Sequence, residues 1–441
     1  MTNETGVRGG DDAAPVALYL LMALTLGGGG SPNPWAEVAV QLAAAVVAGW
    51  WVASGRRNVW RGAPAELRWL AALVLAVPLL HLLPLPPQLW QTLPARELVR
   101  GSLALVGAAE RWRPLPVAPA LTGASLLAML PPAVLMLAAA RLDRSGVRLC
   151  LLVVTGAALF SALLGAVQLA SGAGYLYAET HRGWVTGVFA NRNAAVDLLL
   201  IGSLAASAWV AGADAPRRLL PLHLAVQAVL LGAAVMTGSR GGILLIPLVL
   251  AAHGAIWWRS GRGWLRRSAI LGGAAGFAVP AAALLHLHTR LNNVLARFGE
   301  EPGFRVELWR DGWQAALAYW PAGSGLGTFT RAFAPFERLE VVDATVPNRA
   351  HNDYLELLIE AGLLAPLVLA AAAVLLVRLA RKAGGLRRPE AVFSLGTLLI
   401  IALHSLVDYP LRTMALASMA VLAVGILASL LRERHKLGRI G

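Results

Sequence analysis

Three arginines and one histidine set the chemical problem posed by this sequence. Arg240 lies in Thr237-Gly-Ser-Arg-Gly-Gly, Arg305 opens Arg-Val-Glu-Leu-Trp309, and Arg192 sits in Phe189-Ala-Asn-Arg-Asn-Ala. His351 begins His-Asn-Asp-Tyr-Leu-Glu-Leu-Leu-Ile-Glu-Ala-Gly362. Two or three guanidiniums suit a diphosphate, because each planar fork offers parallel N–H donors to anionic oxygens. A neutral imidazole suits taking a proton from a sugar hydroxyl. Attack of that hydroxyl on an anomeric carbon, with a lipid diphosphate leaving, would require neither metal nor nucleotide. Arginines already in place would meet the charge growing on the departing group.

Each residue also has a plainer reading. An arginine near the bilayer interior costs about 2.5–3.5 kcal/mol on insertion scales, so Arg240 needs a partner or an anionic ligand. It could equally be a helix-end arginine reaching the headgroups. Asn191 or Asn193 can cap the helix that starts near 194, which explains the asparagines and leaves Arg192 as the weaker candidate. His351 stands beside Asn352, Asp353, Glu356 and Glu360, carboxylates able to fix its tautomer and raise its basicity. His404 and Asp408, four residues apart in His-Ser-Leu-Val-Asp-Tyr-Pro, read as a structural polar pair. Pro321-Ala-Gly-Ser-Gly-Leu-Gly reads as a turn whose amides could hold an anion. Between Arg305 and Trp320 a helical period places Trp309, Trp313, Ala316 and Trp320 along one side, as in a helix lying in a membrane interface.

These groups must be positioned by a chain that is 57% hydrophobic and 14% charged over 441 residues, which excludes an ordinary soluble globule. The expectation is an all-α polytopic membrane protein. Apolar runs near 14–29, 36–54, 65–83, 121–140, 148–170, 194–212, 219–237, 242–258, 268–286, 362–380, 391–406 and 413–431 are long enough for about twelve transmembrane helices. The net charge of +14 resembles a nucleic-acid signal, but the basic residues fall at the ends of apolar runs, so no nucleic-acid partner is expected. With a cytoplasmic N-terminus, the inner loops hold Arg56 and Arg57, Arg141, Arg144 and Arg148, Arg217 and Arg218, Arg259 to Arg267, and Arg378 to Arg388. The organisation expected is therefore helices 1–9 over residues 1–286, with outer loops near 84–120 and 171–193. A large outer loop over 287–360 carries the amphipathic helix, and helices 10–12 with a basic cytoplasmic tail occupy 361–441. Trp50-Trp51 and Trp257-Trp258 fall at span ends, as interfacial residues do.

Soluble-enzyme signatures are missing: the sequence has no Walker A, no H-E-x-x-H and no G-x-S-x-G. The outer loops hold no Asp-x-Asp pair, which disfavours a metal-bound nucleotide sugar. The single cysteine, Cys150, permits neither an intrachain disulfide nor a cysteine metal cluster. No cofactor is expected. Charged residues sit mostly at span ends, Asp197 being ambiguous, which disfavours a transporter of lipid-linked glycan with an ionisable midplane site.

The motifs F-A-N-R-N-A (189–194), S-R-G-G (239–242), R-x-x-x-W (305–309), P-x-G-x-G-x-G-x-F after it, and H-N-D-Y-L-E-x-x-x-E-x-G (351–362) occur in one order around one late loop. With P-L-P-P-x-x-W (85–90) and H-S-L-V-D-Y-P (404–410), this pattern resembles the O-antigen ligase and O-antigen polymerase superfamily, integral membrane glycosyltransferases of the GT-C type. The resemblance implies a donor glycan on undecaprenyl diphosphate at the periplasmic face of the bacterial inner membrane, with inversion at the anomeric carbon. It implies that Arg240 and Arg305 bind the diphosphate, with Arg192 a second-rank candidate, and that His351 is the base toward the acceptor hydroxyl. The acceptor would be lipid A-core in a ligase or the growing glycan in a polymerase. About twelve spans with one dominant late loop favour the ligase arrangement.

Overall fold

The computed structural model describes residues 12–30, 34–54, 60, 62–177, 181–212, 217–259, 292–293, 295–296, 303–342 and 346–437. Helices α1 (Ala13–Leu26), α2 (Pro34–Ala53) and α3 (Ala65–His81) come first. An excursion follows, holding β1 (Pro84–Leu85), α4 (Pro87–Trp90), α5 (Glu97–Leu105) and β2 (Arg113–Pro114). Next are α6 (Pro119–Ala139), α7 (Arg144–Ser171), α8 (Arg192–Gly212), α9 (Leu220–Met236), the short α10 (Arg240–Leu244) and α11 (Ile246–Arg259). Past residue 302 come α12 (Phe304–Ala318), α13 (Phe329–Phe333), α14 (Asp353–Ala361), α15 (Leu364–Lys382), α16 (Pro389–His404) and α17 (Met414–Leu437). The two strands form one antiparallel pairing, Pro84 with Pro114 and Leu85 with Arg113.

This is an all-α polytopic membrane architecture. Seven helical segments among the described residues are long and apolar enough to cross a membrane: Trp35–Ala53, Pro119–Ala139, Arg144–Ser171, Arg192–Gly212, Arg240–Arg259, Leu364–Lys382 and Met414–Glu433. Ala13–Leu26, Leu220–Met236 and Pro389–His404 are apolar but shorter. Every expected run coincides with a helix except 268–286, which lies outside the described residues. Seven, against the expected twelve, meet the length and composition of a span.

α8 is the axis of the bundle. Its small residues let neighbouring backbones approach closely, as apolar packing between membrane helices requires. A Cβ on Gly202 would stand 2.2 Å from Ala158 Cβ of α7, and one on Gly242 would stand 2.2 Å from Val196 Cγ1 of α8. Residues from Leu198 to Leu204 of α8 are all buried. α17 is similarly enclosed, Gly425 lying against Ala139 of α6. α6 continues through Pro131 and Pro132, both buried. Each tryptophan pair at a span end splits: Trp50 and Trp258 face outward while Trp51 and Trp257 pack inward.

Residues 303–361 form a separate small layer with its own core of Leu308, Ala315, Ala316, Tyr319, Phe329 and Phe333. The face of α12 buried within this layer is centred away from the tryptophan side. Leu308, Asp311, Gly312, Ala315 and Ala316 face inward, while Trp313 and Trp320 are 50% and 42% exposed. Gly312 decides this, because its missing side chain admits Leu355 of α14, and Asp311 can be buried because Arg338 pairs with it at 2.6 Å. The glycine loop after α12 is indeed a turn, with Gly323 at φ +79° and Gly325 at φ +103°. Three of its amides are occupied: Gly323 N–H donates to Tyr319 O, Ser324 N–H to Ile359 O and Gly325 N–H to Glu360 O, so these three are not free for an anion. The preceding excursion is tied to the same loop, since buried Arg96 donates to Gly323 O at 2.8 Å and Val117 N–H to Ser324 O.

Candidate functional site

Of the sequence-selected residues, Arg305 and His351 meet at the turn between α16 and α17, residues 405–413. His404 and Asp408, expected to pair with each other, do not do so through their side chains. His404 Nδ1 lies 2.6 Å from Asp197 Oδ1 inside the bundle, which also accounts for the ambiguous Asp197. Asp408 faces the other way. Its Oδ1 is 3.3 Å from His351 Nδ1, its Oδ2 is 3.5 Å from Arg305 Nη2, and Asn191 Nδ2 donates to both oxygens at 3.5 Å. Arg305 Nη1 donates to Val407 O at 2.7 Å, so this arginine is clamped to the turn. Burial alone would push the Asp408 carboxyl up; attraction from His351 and from the Arg305 guanidinium outweighs it and holds the group well below the usual carboxylate range.

His351 is fixed by its backbone neighbours. Ala350 N–H donates to Glu356 Oε2 at 2.9 Å, and Trp309 Nε1 donates to Ala350 O at 2.9 Å. On the other side Asn352 caps α14, its Oδ1 accepting from Tyr354 N–H and Leu355 N–H. Between these anchors His351 adopts φ +49°, a left-handed conformation that costs a non-glycine residue on the order of 1 kcal/mol. The ring stands edge-on between Phe304, at 5.4 Å, and Tyr409, at 4.9 Å, and the side chain is 17% exposed. It meets Asp408 off the line of a formed hydrogen bond.

The acidic neighbours expected to orient His351 have other partners. Arg412 reaches Asp353 at 3.6 Å, Glu356 at 3.4 Å and Glu360 at 2.9 Å, and Arg349 holds Glu356 at 3.1 Å. Asp353 also accepts from Ser405 Oγ at 2.9 Å and Leu411 N–H at 3.2 Å. Burial, reinforced by Glu356 and opposed by Arg412, pushes its carboxyl up to about 7. The physical reason is helix geometry. Positions 353, 356 and 360 share one face of α14, and that face turns to the α16–α17 turn, whereas His351 precedes the helix. Asp353, Glu356 and Glu360 therefore organise α14, and the carboxylate that meets His351 is Asp408.

Arg240 and Arg192 each stand at the N-terminus of a bundle helix. Ser239 caps α10, accepting from Gly242 N–H at 3.3 Å, which places Arg240 at the first helical position. A Cβ on Gly241 would stand 2.9 Å from His404 Nε2 and 3.1 Å from Val407 Cγ2, so this segment rests on the same turn that clamps Arg305. Arg192 stacks over the Trp184 ring at 4.8 Å, and Gly238 packs against that ring's other atoms, a Cβ there standing 2.2 Å from Cζ3. Asn191 caps α8 by accepting from Asn193 N–H at 2.9 Å, as expected, and also reaches Asp408. A narrow crevice lined by Asn191, Asn193, Ala194, Asp197, Asp408, Tyr409 and Pro410 runs beside these groups.

Sequence reasoning missed Asp408, Asn191 as a site residue, and the pair Arg349 and Arg412. A signal was present for the arginines. Both fall on the side of the chain that the basic bias assigns to the outside, where an arginine needs a specific reason. Among the described residues, no three His, Cys, Asp or Glu side chains are grouped to hold a metal ion.

Residues 225–370 match the family model described as O-antigen ligase. The matched segment is similar to that family and supports the O-antigen ligase and polymerase superfamily. The match spans Arg240, Arg305, His351, Asn352, Asp353 and Glu356, while Arg192 and Asp408 lie outside it. No curated protein matches the chain. The match supports a glycosyltransferase-type membrane enzyme. Within the matched segment, the clamped Arg305 and the strained His351 both meet one buried carboxylate contributed from beyond it.

Proposed function

We propose that the chain is an inverting glycosyltransferase that moves a glycan from undecaprenyl diphosphate to an acceptor hydroxyl, without a metal, at the periplasmic face of a bacterial inner membrane. The observation that carries this reading is the sharing of Asp408 by His351 and Arg305, at 3.3 and 3.5 Å. A proton acceptor and an anion-binding group are thereby held side by side. In the reaction, His351 takes the proton of the acceptor hydroxyl, whose oxygen attacks the anomeric carbon. The bond from that carbon to the diphosphate oxygen breaks, and the electron pair leaves with the lipid diphosphate. Arg240 and Arg305, with Arg192 behind them, meet the charge on the leaving group. Asp408 positions His351: with its carboxylate on the Nδ1 side, Nε2 is the nitrogen left to face the hydroxyl.

The proposed topology has both termini in the cytoplasm and about twelve spans, with 287–360 as the large periplasmic loop between the ninth and tenth. The acceptor we favour is lipid A-core, which makes the enzyme an O-antigen ligase; polymerisation of the glycan on its carrier is the second reading. The deciding experiment incubates purified protein and excess EDTA with polyprenyl-diphosphate glycan, with and without lipid A-core. A single core-linked product supports the ligase, a ladder on the carrier supports the polymerase, and strict metal dependence contradicts the mechanism.

A further inference from the structure

Below the arginines, inside the bundle, lies a second polar assembly that the transfer chemistry does not use. It joins Ser203 and Ser207 of α8, His223 and Gln227 of α9, and His253 of α11, all buried. Ser207 stands about 20 Å along the α8 axis from Arg192, at 1.5 Å per residue. Trp257 closes the assembly, its ring 5.4 Å from His223 and 5.9 Å from His253. Polar side chains at such depth are expensive unless their hydrogen bonds are complete.

For Ser203, Ser207, Gln227 and His253 they are complete, and in one order only. Gln227 Nε2 donates to the Ser203 carbonyl at 3.0 Å, which fixes the amide orientation and turns Oε1 toward the Ser203 hydroxyl at 2.6 Å. Oε1 only accepts, so the single hydroxyl hydrogen of Ser203 goes there. Toward His253 Nε2, at 2.9 Å, Ser203 Oγ must then accept, so Nε2 carries the hydrogen. None of the five side chains hydrogen-bonds or ion-pairs with a carboxylate among the described residues, and a buried imidazolium without one is costly, so His253 is neutral and its Nδ1 accepts. Ser207 donates to that Nδ1 at 2.6 Å. Its lone pairs receive Gln227 Nε2 at 3.2 Å and His223 Nε2 in a longer contact of 3.4 Å.

We infer that Ser203, Ser207, His223, Gln227 and His253 form a proton-ordered lock that holds α8, α9 and α11 together and so positions Arg192 and Arg240. The connectivity is direct. Arg192 is the first residue of α8, and Arg240 stands in the short connection from α9 toward α11. Sliding or rotating any of the three helices breaks at least two bonds of the lock. These are positioning residues, and their role in positioning rests on the diphosphate reading above.

The test has two arms. Nitrogen and carbon NMR of histidine-labelled protein, with His253→Phe to assign the signal, reads the hydrogen order without any substrate. The lock requires a neutral His253 protonated at Nε2; an Nδ1–H tautomer or an imidazolium at neutral pH overturns it. In the second arm, undecaprenyl diphosphate is titrated into wild type, Ser207→Ala and Gln227→Met in detergent, with folding checked by size exclusion and thermal denaturation. Both folded variants should bind about three- to tenfold more weakly, because each loses several bonds of the lock and only part of that loss is felt at the arginines. Unchanged affinity in both overturns the positioning role, whereas a merely structural role lowers stability and leaves affinity alone. If Ser207→Ala fails to fold, Gln227→Met decides. Absence of binding by wild type removes the diphosphate reading and the positioning role together, while the first arm still decides the lock.

Discussion

Two clusters of charge share the turn between α16 and α17, and they differ in completeness. Around Arg412, three carboxylates and two guanidiniums are buried against one another, and Asp353, the one raised to about 7, is the group whose ionisation would leave an excess negative charge. Around Asp408, one carboxylate serves His351, Arg305 and Asn191 at 3.3 to 3.5 Å, beside a crevice. The first cluster reaches its closest pairing at 2.9 Å, between Arg412 and Glu360, and ties α14 to the turn, although Asp353 Oδ1 makes no hydrogen bond. In the second, the ion-pair contacts to Asp408 are 3.3 and 3.5 Å, so a substrate anion or hydroxyl can improve its bonding. Sequence alone assigned Asp353, Glu356 and Glu360 to His351, because they follow it within ten positions, and assigned Asp408 to His404.

The comparison can be broken most severely at Arg412. Replacing it with leucine leaves Asp353 and Glu360 without their ion-pair partner and Glu356 with Arg349 alone, and should cost about 3–5 kcal/mol, seen as loss of monodisperse protein and a lower thermal midpoint. A fold that tolerates this change would mean the cluster is not structural. His351→Ala tests the opposite cluster and should leave the thermal midpoint nearly unchanged while transfer falls by about 100-fold or more. Full activity in that variant removes His351 as the base.

Arg305→Ala should weaken donor binding by about tenfold or more, with Arg305→Lys recovering only part, because a lysine cannot form the two-pronged contact. Equal donor affinity in wild type and both variants would detach Arg305 from the diphosphate. The smallest effect concerns Asp353. Its folded value, about 7, lies above its ordinary 3.8, so the folded state binds the proton more tightly and stability declines as pH rises from near 4 to near 7. Asp353→Asn should flatten that decline, recovering on the order of 1–2 kcal/mol at pH 8 relative to pH 5. Parallel pH profiles of thermal midpoint in the two proteins would count against a buried, raised carboxyl.

Much of the fold was legible because a bilayer imposes length and composition on each helix, and apolar runs display both directly. Arg240, Arg305 and His351 were legible as candidates because polar residues at the edges of such runs are conspicuous. Their partners were not. Asp408 looked like the companion of His404 on i, i+4 spacing, but α16 ends at His404 and the chain turns away, sending the two side chains to opposite sides. The packing face of α12 was not legible from periodicity either, since Gly312 and the ion-paired Asp311, rather than large apolar side chains, help define it.

What the sequence determined by itself was the class of molecule and its chemical vocabulary: apolar helices with arginines and a histidine at their edges, in the order of one superfamily. That follows from local composition, which needs no partner to express it. Only the tertiary structure decided which carboxylate meets His351, that Arg305 is clamped to Val407 and Asp408, and that five buried side chains tie α8, α9 and α11 together. Those are pairings between residues tens to hundreds of positions apart. They depend on how helices pack against one another, which spacing within a single helix does not specify.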